Sequence, residues 1–216
     1  MLNKFRYDPA NVDTDGLADG ITGAGPWTTA GSAPNKILLG GIVPDGLAHQ
    51  LNLTSGENLS AITITIVGTD ADDKVISEAC AGPNQNTVET TAYFKTITSI
   101  SASSTLSTNT MDVGWVDEFV GPTIELDWRR NVPSHFFLDV TGTINLDVDF
   151  LIEAVDPMPN QAAGKWVAIN SSLAAETADS TAFVDIGAGY TAFRVRVNSY
   201  TDTAEFTLYV SQPEIA

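Results

Sequence analysis

Residues 61–101, AITITIVGTDADDKVISEACAGPNQNTVETTAYFKTITSIS, decide the fold class. Ile62, Ile64 and Ile66 alternate with Ala61, Thr63 and Thr65, the period-two pattern of a strand with one buried face. The polar stretch Gly68-Thr69-Asp70-Ala71-Asp72-Asp73 supplies a turn, and Val75–Cys80 returns as a second strand, so the segment opens as a β-hairpin. A Gly82-Pro83-Asn84 loop and a threonine-rich run into Tyr93-Phe94-Lys95-Thr96-Ile97 follow. Ile97 and Ile100 have opposite parity, which predicts a bulge or a strand end between them.

The same alternation recurs outward from this stretch. Short apolar runs at Ile37-Leu38-Leu39 and Ile42-Val43 and the Leu47–Leu53 segment precede it, and Met111–Trp115 follows. Beyond Gly121-Pro122, which marks a boundary, Ile124/Leu126/Trp128 alternate with Glu125/Asp127. Ile144/Leu146/Val148/Phe150/Ile152 alternate with Asn145/Asp147/Asp149, a long strand with one acidic face expected to be solvated. Trp166–Ile169, Ala182–Ile186, Phe193/Val195/Val197 and Phe206/Leu208/Val210 complete the set. No segment carries capped apolar spacing of 3.6 residues, so the chain is expected to be all-β.

A weak internal repeat points to two β-sandwich subdomains, Ig-like or jelly-roll-like. A hairpin over Ile62–Cys80 leads to Thr91-Ala92-Tyr93-Phe94 and then Thr108–Val113. Likewise a hairpin over Asp147–Ile169 leads to Thr181-Ala182-Phe183-Val184 and then Thr201–Phe206. Duplication explains the match; chance similarity among threonine-rich β sequences is the competing explanation. The expected organisation is an extended arm over 1–35, a first sandwich over 36–120 and a second over 121–216. The arm is read from Pro9, Pro26 and Pro34, the lack of alternation, and isolated aromatics. It is expected to lie on its own body or on a neighbouring subunit. Phe5, Tyr7 and Trp27 are its candidate interface residues, Trp27 above all, because little nearby in sequence would bury it.

Charge narrows the partners. The chain carries 27 Asp and Glu against 10 Lys and Arg, a formal charge of −17. Its basic residues form no cluster; Arg129-Arg130 and Arg194/Arg196 are the densest pairs. Phosphate backbones and anionic membranes are therefore not expected partners. Solubility, or a salt-adapted origin, accounts for the acidity equally well. The N-terminus lacks a signal peptide's apolar run and no 18-residue apolar segment occurs, so a protein made in a reducing cytoplasm is expected. Cys80, the single cysteine, allows no intrachain disulfide and reads as a small buried hydrophobe.

Catalytic constellations are not visible. His49 and His135 are the two histidines, no Gly-x-Ser-x-Gly occurs, and Cys and His are too few for a zinc site, so no catalytic residue, metal or cofactor is expected. Asp70-Ala71-Asp72-Asp73 resembles part of a calcium loop but lacks its Gly at position six and Glu at position twelve; a hairpin turn is the simpler reading. Asp147 with Asp149, and Glu125 with Asp127, share strand faces as carboxylate pairs in a glycosidase do, although a sheet face open to water is the plainer account. Trp27, Trp115, Trp128 and Trp166 are spread along the chain, which suits cores and interfaces better than a sugar platform.

The text GTDADDK…ISEACAGPN…TTAYFKTITSIS over residues 61–101 resembles a hairpin-and-strand module of tailed-bacteriophage virion structural proteins. The Tyr190–Val210 region resembles it loosely and residues 1–35 not at all. The resemblance carries no functional residue with it. It implies a non-enzymatic virion component, assembled in the bacterial host cytoplasm, and foremost a capsid decoration or cement protein. Such a protein stabilises the head by binding the major capsid protein or other virion proteins, as a homo-oligomer (trimer or dimer). A tail, baseplate or head–tail connector component is the alternative, and a carbohydrate-binding or adhesin module a more distant one.

Overall fold

The computed structural model describes residues 2–126, 134–151, 166–168, 173–184 and 190–211. Trp128, Asp127, the Arg129-Arg130 pair and the expected strand ends at Ile169 and Ile186 lie outside the described residues. The chain divides into two compact units. One, here the inserted unit, is continuous over Ala10–Val120. The other, the split unit, joins Met1–Pro9 to Gly121–Ala216.

The inserted unit contains β2 (Asp13–Ile21), β3 (Trp27–Thr28), β4 (Ala48–Thr54), β5 (Thr63–Thr69), β6 (Val75–Ala81), β7 (Thr87–Phe94), β8 (Thr96–Ala102) and β9 (Met111–Val120). Antiparallel pairing orders them as β2-β9-β4-β7 and β3-β8-β5-β6. The split unit contains β1 (Leu2–Tyr7), β10 (Ile124–Glu125), β11 (Ser134–Thr141), β12 (Ile144–Leu151), β13 (Trp166–Val167), β14 (Ser180–Val184), β15 (Ala192–Tyr200) and β16 (Glu205–Ser211). Its orders are β1-β16-β11-β14 and β10-β15-β12-β13, again antiparallel.

The two orders are the same. Numbered within its unit, the first strand pairs the eighth, the second the seventh, the third the sixth and the fourth the fifth. The eighth also pairs the third, and the seventh the fourth. A long antiparallel hairpin rolled into two four-stranded sheets is a jelly roll. The chain therefore holds two, and the repeated sequence pieces fall on matching strands: hairpins on β5-β6 and β12-β13, the Thr-Ala-aromatic pieces on β7 and β14, and the last pieces leading into β9 and β16.

Alternation explains which faces are buried. In the inserted unit Leu51 and Leu53 of one sheet share a core with Ile64, Ile66 and Ile100 of the other. In the split unit Phe136 of β11 meets Phe150 of β12 and Phe193 of β15 edge-on, at centroid distances of 5.3 and 5.2 Å. The parity break between Ile97 and Ile100 is a bulge: Val67 pairs Ser99 and Gly68 pairs Ile97, and the skipped Thr98 donates its hydroxyl to the Val67 carbonyl at 3.0 Å. Gly68 is needed there, because a Cβ would stand 1.9 Å from the Thr96 carbonyl oxygen. Gly114 is needed on β9 for the same reason, with the Asp13 carbonyl oxygen of β2 at 1.9 Å from a Cβ.

Two expectations are corrected. Residues 1–35 are not one arm: β1 completes a sheet of the split unit, whereas β2 and β3 complete both sheets of the inserted unit. A short extended strand with unpaired amides satisfies them by joining a sheet, and the available edges lie far along the chain. Second, the apolar runs at residues 37–39 and 42–43 are not strands. Leu39, Gly40 and Gly41 have φ of 50°, 67° and 76° and form a 3-10 turn, which extended backbone cannot follow.

Candidate functional site

The residues expected at an interface lie against their own units. Tyr7 is buried and stacks on Phe206 at 4.7 Å with the rings 14° apart. That burial pushes its phenol pKa up to about 12. Phe5 meets Phe193 edge-on at 6.0 Å. Trp27 is only 2% exposed in the core of the inserted unit, and its indole N–H donates to the Thr22 carbonyl at 2.9 Å. Its burial partners are Ile100, directly opposite on β8, and the rest of the core.

The Asp70–Asp73 segment is organised as a turn. Asp70 Oδ1 accepts the amides of Asp72 and Lys74, both at 2.9 Å, and Asp73 sits in the left-handed region at φ 61° with its carboxylate on Lys95 at 2.7 Å. Among the described residues no group of three His, Cys, Asp or Glu side chains is placed to hold a metal ion. Cys80 is half-buried beside the core, where burial and then the nearby Glu78 push its thiol pKa up, away from a reactive thiolate. His135 is exposed on β11.

His49 and Asp45 form a buried pair that spacing alone does not reveal. His49 Nε2 lies 2.8 Å from Asp45 Oδ2, while its Nδ1 lies 3.1 Å from the Val116 carbonyl. A carbonyl accepts only, as does a carboxylate, so both ring nitrogens face acceptors. Asp45 also accepts the amides of Ala10 and Leu47, at 2.7 and 2.9 Å. Burial alone would raise the Asp45 carboxyl, but the bond and charge of His49 together with these amides outweigh it and hold the carboxyl below its ordinary range. The pair thus pins the first residue of the inserted unit and the 45–47 turn to β4 and β9.

The outward face of β12-β15, expected to be solvated, is a closed polar network. Asp147 and Asp149 are only 7% and 4% exposed. Arg196, cross-strand from Asp147, donates from Nη2 to Asp147 Oδ2 at 2.6 Å and from Nε to Asp149 Oδ2 at 3.1 Å. Arg194 lies 3.6 Å from Asp149 and packs its guanidinium 4.3 Å over the Trp166 ring. Asp147 also accepts the Ala175 amide at 2.7 Å. Both carboxylates are committed to cationic and amide donors, which makes this face a brace. The sequence signal was present in Arg194 and Arg196, spaced two apart on a strand, but nothing local ties them to Asp147 and Asp149.

The corresponding face of the inserted unit is of opposite character. Looking outward on β6-β5-β8-β3, one cross-strand row is Ser77, Val67, Ser99 and Thr28. The next is Val75, Thr69, Thr96 and Ile42, with the Thr69 and Thr96 hydroxyls bonded at 2.8 Å. A third is Ala79, Thr65 and Ser101. These rows contain no charged residue, and Val75 and Ile42 are 79% and 44% exposed.

No protein-family model and no curated protein sequence matches this chain. Among solved structures, a chain in the cryo-EM structure of Broad Bean Stain Virus aligns with 96% of this chain and 86% of its own length. The identity is 8% and the TM-score 0.20, a likeness too slight to place the chain in a family.

Proposed function

We propose that this chain is a structural protein of a virion, and that its place is on the outside of a tailed-phage head as a capsid decoration protein. The observation that carries this reading is the duplicated jelly roll, a fold used for viral capsid building blocks as well as for lectin domains and cupins. The warrant is one of fold analogy, and two features of the chain favour the virion branch. Residues 61–101 resemble text of phage virion proteins. The buried Asp147, Asp149 and His49 side chains described above are committed to bracing strands and turns, as in a protein whose work is to hold shape under load. The charge of −17 suits a position away from packaged nucleic acid. The partner is then the major capsid protein or another virion protein.

Quantitative mass spectrometry of purified particles tests this, combined with rebinding of the purified chain to shells stripped of it. Hundreds of copies per particle and saturable rebinding support decoration. A few copies at one vertex assign the chain to a tail or connector instead. Glycan binding by the isolated chain, with none of it in particles, overturns the virion reading in favour of a lectin-like module.

A further inference from the structure

We propose that Glu78 is an edge guard: its carboxylate occupies the outer edge of β7 and keeps the inserted unit from pairing there with a strand of another copy. Alternation along β6 puts Glu78 in the row of Ile76 and Cys80, which pack against the core, so a charge stands in an otherwise apolar row. Strand pairing shows what that charge meets. β6 ends one four-stranded order of the inserted unit and β7 ends the other. Along β7, Tyr93 pairs Gln50 and Glu89 pairs Asn52, so Thr90, Thr91 and Ala92 stand opposite Leu51 and form a bulge. There the Leu51 amide donates to the Thr90 hydroxyl at 2.9 Å, and that hydroxyl donates to the Ala92 carbonyl at 2.9 Å. The Thr91 and Ala92 amides donate to Glu78 instead.

Two successive amides and a hydroxyl converge on this one carboxylate. The Thr91 amide lies 2.9 and 3.1 Å from its two oxygens, the Ala92 amide 2.7 Å and the Thr91 hydroxyl 3.1 Å. Hydrogen bonds to an ionised acceptor are stronger than the amide–carbonyl bonds that an incoming strand offers, so such a strand would have to displace the better partner. The edge needs protection. Its sequence, Thr87-Val88-Glu89-Thr90-Thr91-Ala92-Tyr93-Phe94, is rich in β-branched and aromatic residues and holds no lysine or proline, two residues that blunt an edge. A bulge and an inward-pointing charge serve the same end, and both are present here. The strand kept out is β7 of a second copy, because identical edges pair antiparallel across a two-fold axis and need no further complementary surface.

Glu78→Gln and Glu78→Ala in the full chain test the proposal, read by amide exchange and by sedimentation velocity from about 10 to 500 μM. Glu78→Gln keeps the side-chain volume but turns one acceptor into a donor. Exchange across residues 90–93 should then rise roughly tenfold or more, the loss of about one charge-assisted hydrogen bond. Association beyond the wild-type state should grow from Glu78→Gln to Glu78→Ala. Adding Ala92→Pro to Glu78→Ala should restore the wild-type mass, because proline removes an amide that donates to Glu78 and cannot pair with an incoming strand. Glu89→Ala takes the same charge from β7 itself and should change neither reading. Faster exchange with the wild-type mass kept at about 500 μM makes Glu78 an internal brace and overturns the proposal. Association that Ala92→Pro does not relieve, or that Glu89→Ala reproduces, overturns it too. Where Glu78→Ala does not fold, Glu78→Gln decides by the same two readings.

Discussion

The inserted and split units share a strand order but not a chemistry. The inserted unit fills its core mainly with Ile, Leu and Val from β4, β5, β8 and β9, and turns an uncharged face outward from β5. The split unit packs Phe136, Phe150, Phe193 and Phe206, and covers the equivalent face of β12 with an Asp–Arg network. A jelly roll constrains the inward residues of each strand to be apolar and leaves the outward ones open. Duplicated units can therefore diverge on their outer faces without losing topology. One outer face here braces its own strands, and the other carries rows of small, hydroxyl and apolar side chains without charge.

The comparison breaks most readily in the cores. Phe193→Ala removes a ring that meets Phe5, Phe136 and Phe150, and is expected to cost about 3–5 kcal/mol. Amide exchange should rise first in β12 and β15; equal exchange in both units would show that the aromatic core has no local effect. In the inserted unit, Asp45→Asn leaves the His49 ring without its anion and is expected to cost about 3 kcal/mol. The variant also tests pH dependence. The Asp45 carboxyl is held below its ordinary value, so its stabilisation is complete above the unfolded value of about 3.9 and lost as pH falls through the folded one. Acid titration of the wild type should show that loss, and Asp45→Asn should not.

Tyr7 gives the split unit the opposite, alkaline sensitivity. A phenol raised from 10 to about 12 stabilises fully below pH 10, and that contribution is lost as pH climbs toward 12. The loss amounts to about 2–3 kcal/mol. Tyr7→Phe should flatten the alkaline limb of a denaturant titration; an unchanged limb would mean that another group sets it. A smaller effect is expected at the polar brace. Asp149→Asn removes the carboxylate shared by Arg194 and Arg196, whose side chains are 26% and 34% exposed, so screening limits the cost to about 1–2 kcal/mol. Exchange protection of β15 in this variant sharpens the contrast, because Val67→Thr on the matching face of β5 should change stability by less than about 0.5 kcal/mol.

What could be read from the chain beforehand follows from short-range physics. Period-two alternation announced the β5 and β12 strands and their faces, the Asp70–Asp73 turn was legible from residues that favour turns, and opposite parity at Ile97 and Ile100 announced the bulge at Thr98. The matching order of hairpin, Thr-Ala-aromatic piece and last strand foreshadowed two copies of one architecture. The candidate sites were less legible. Phe5, Tyr7 and Trp27 looked exposed because nothing near them in sequence buries them, yet Tyr7 lies opposite Phe206 on β16, and Arg6 of the same strand is hydrogen-bonded to Glu205, 199 residues away.

The sequence by itself determined the all-β class, the alternating faces, the turns and the order of the repeated pieces, because each depends on residues within a few positions of one another. Only the tertiary structure decided the rest. It made residues 1–35 strands of two different units and buried Asp147 and Asp149 under guanidinium groups more than forty residues away. Alternation states which side chains share a face; what comes to cover that face depends on which distant strand completes the sheet, and that is settled by long-range pairing.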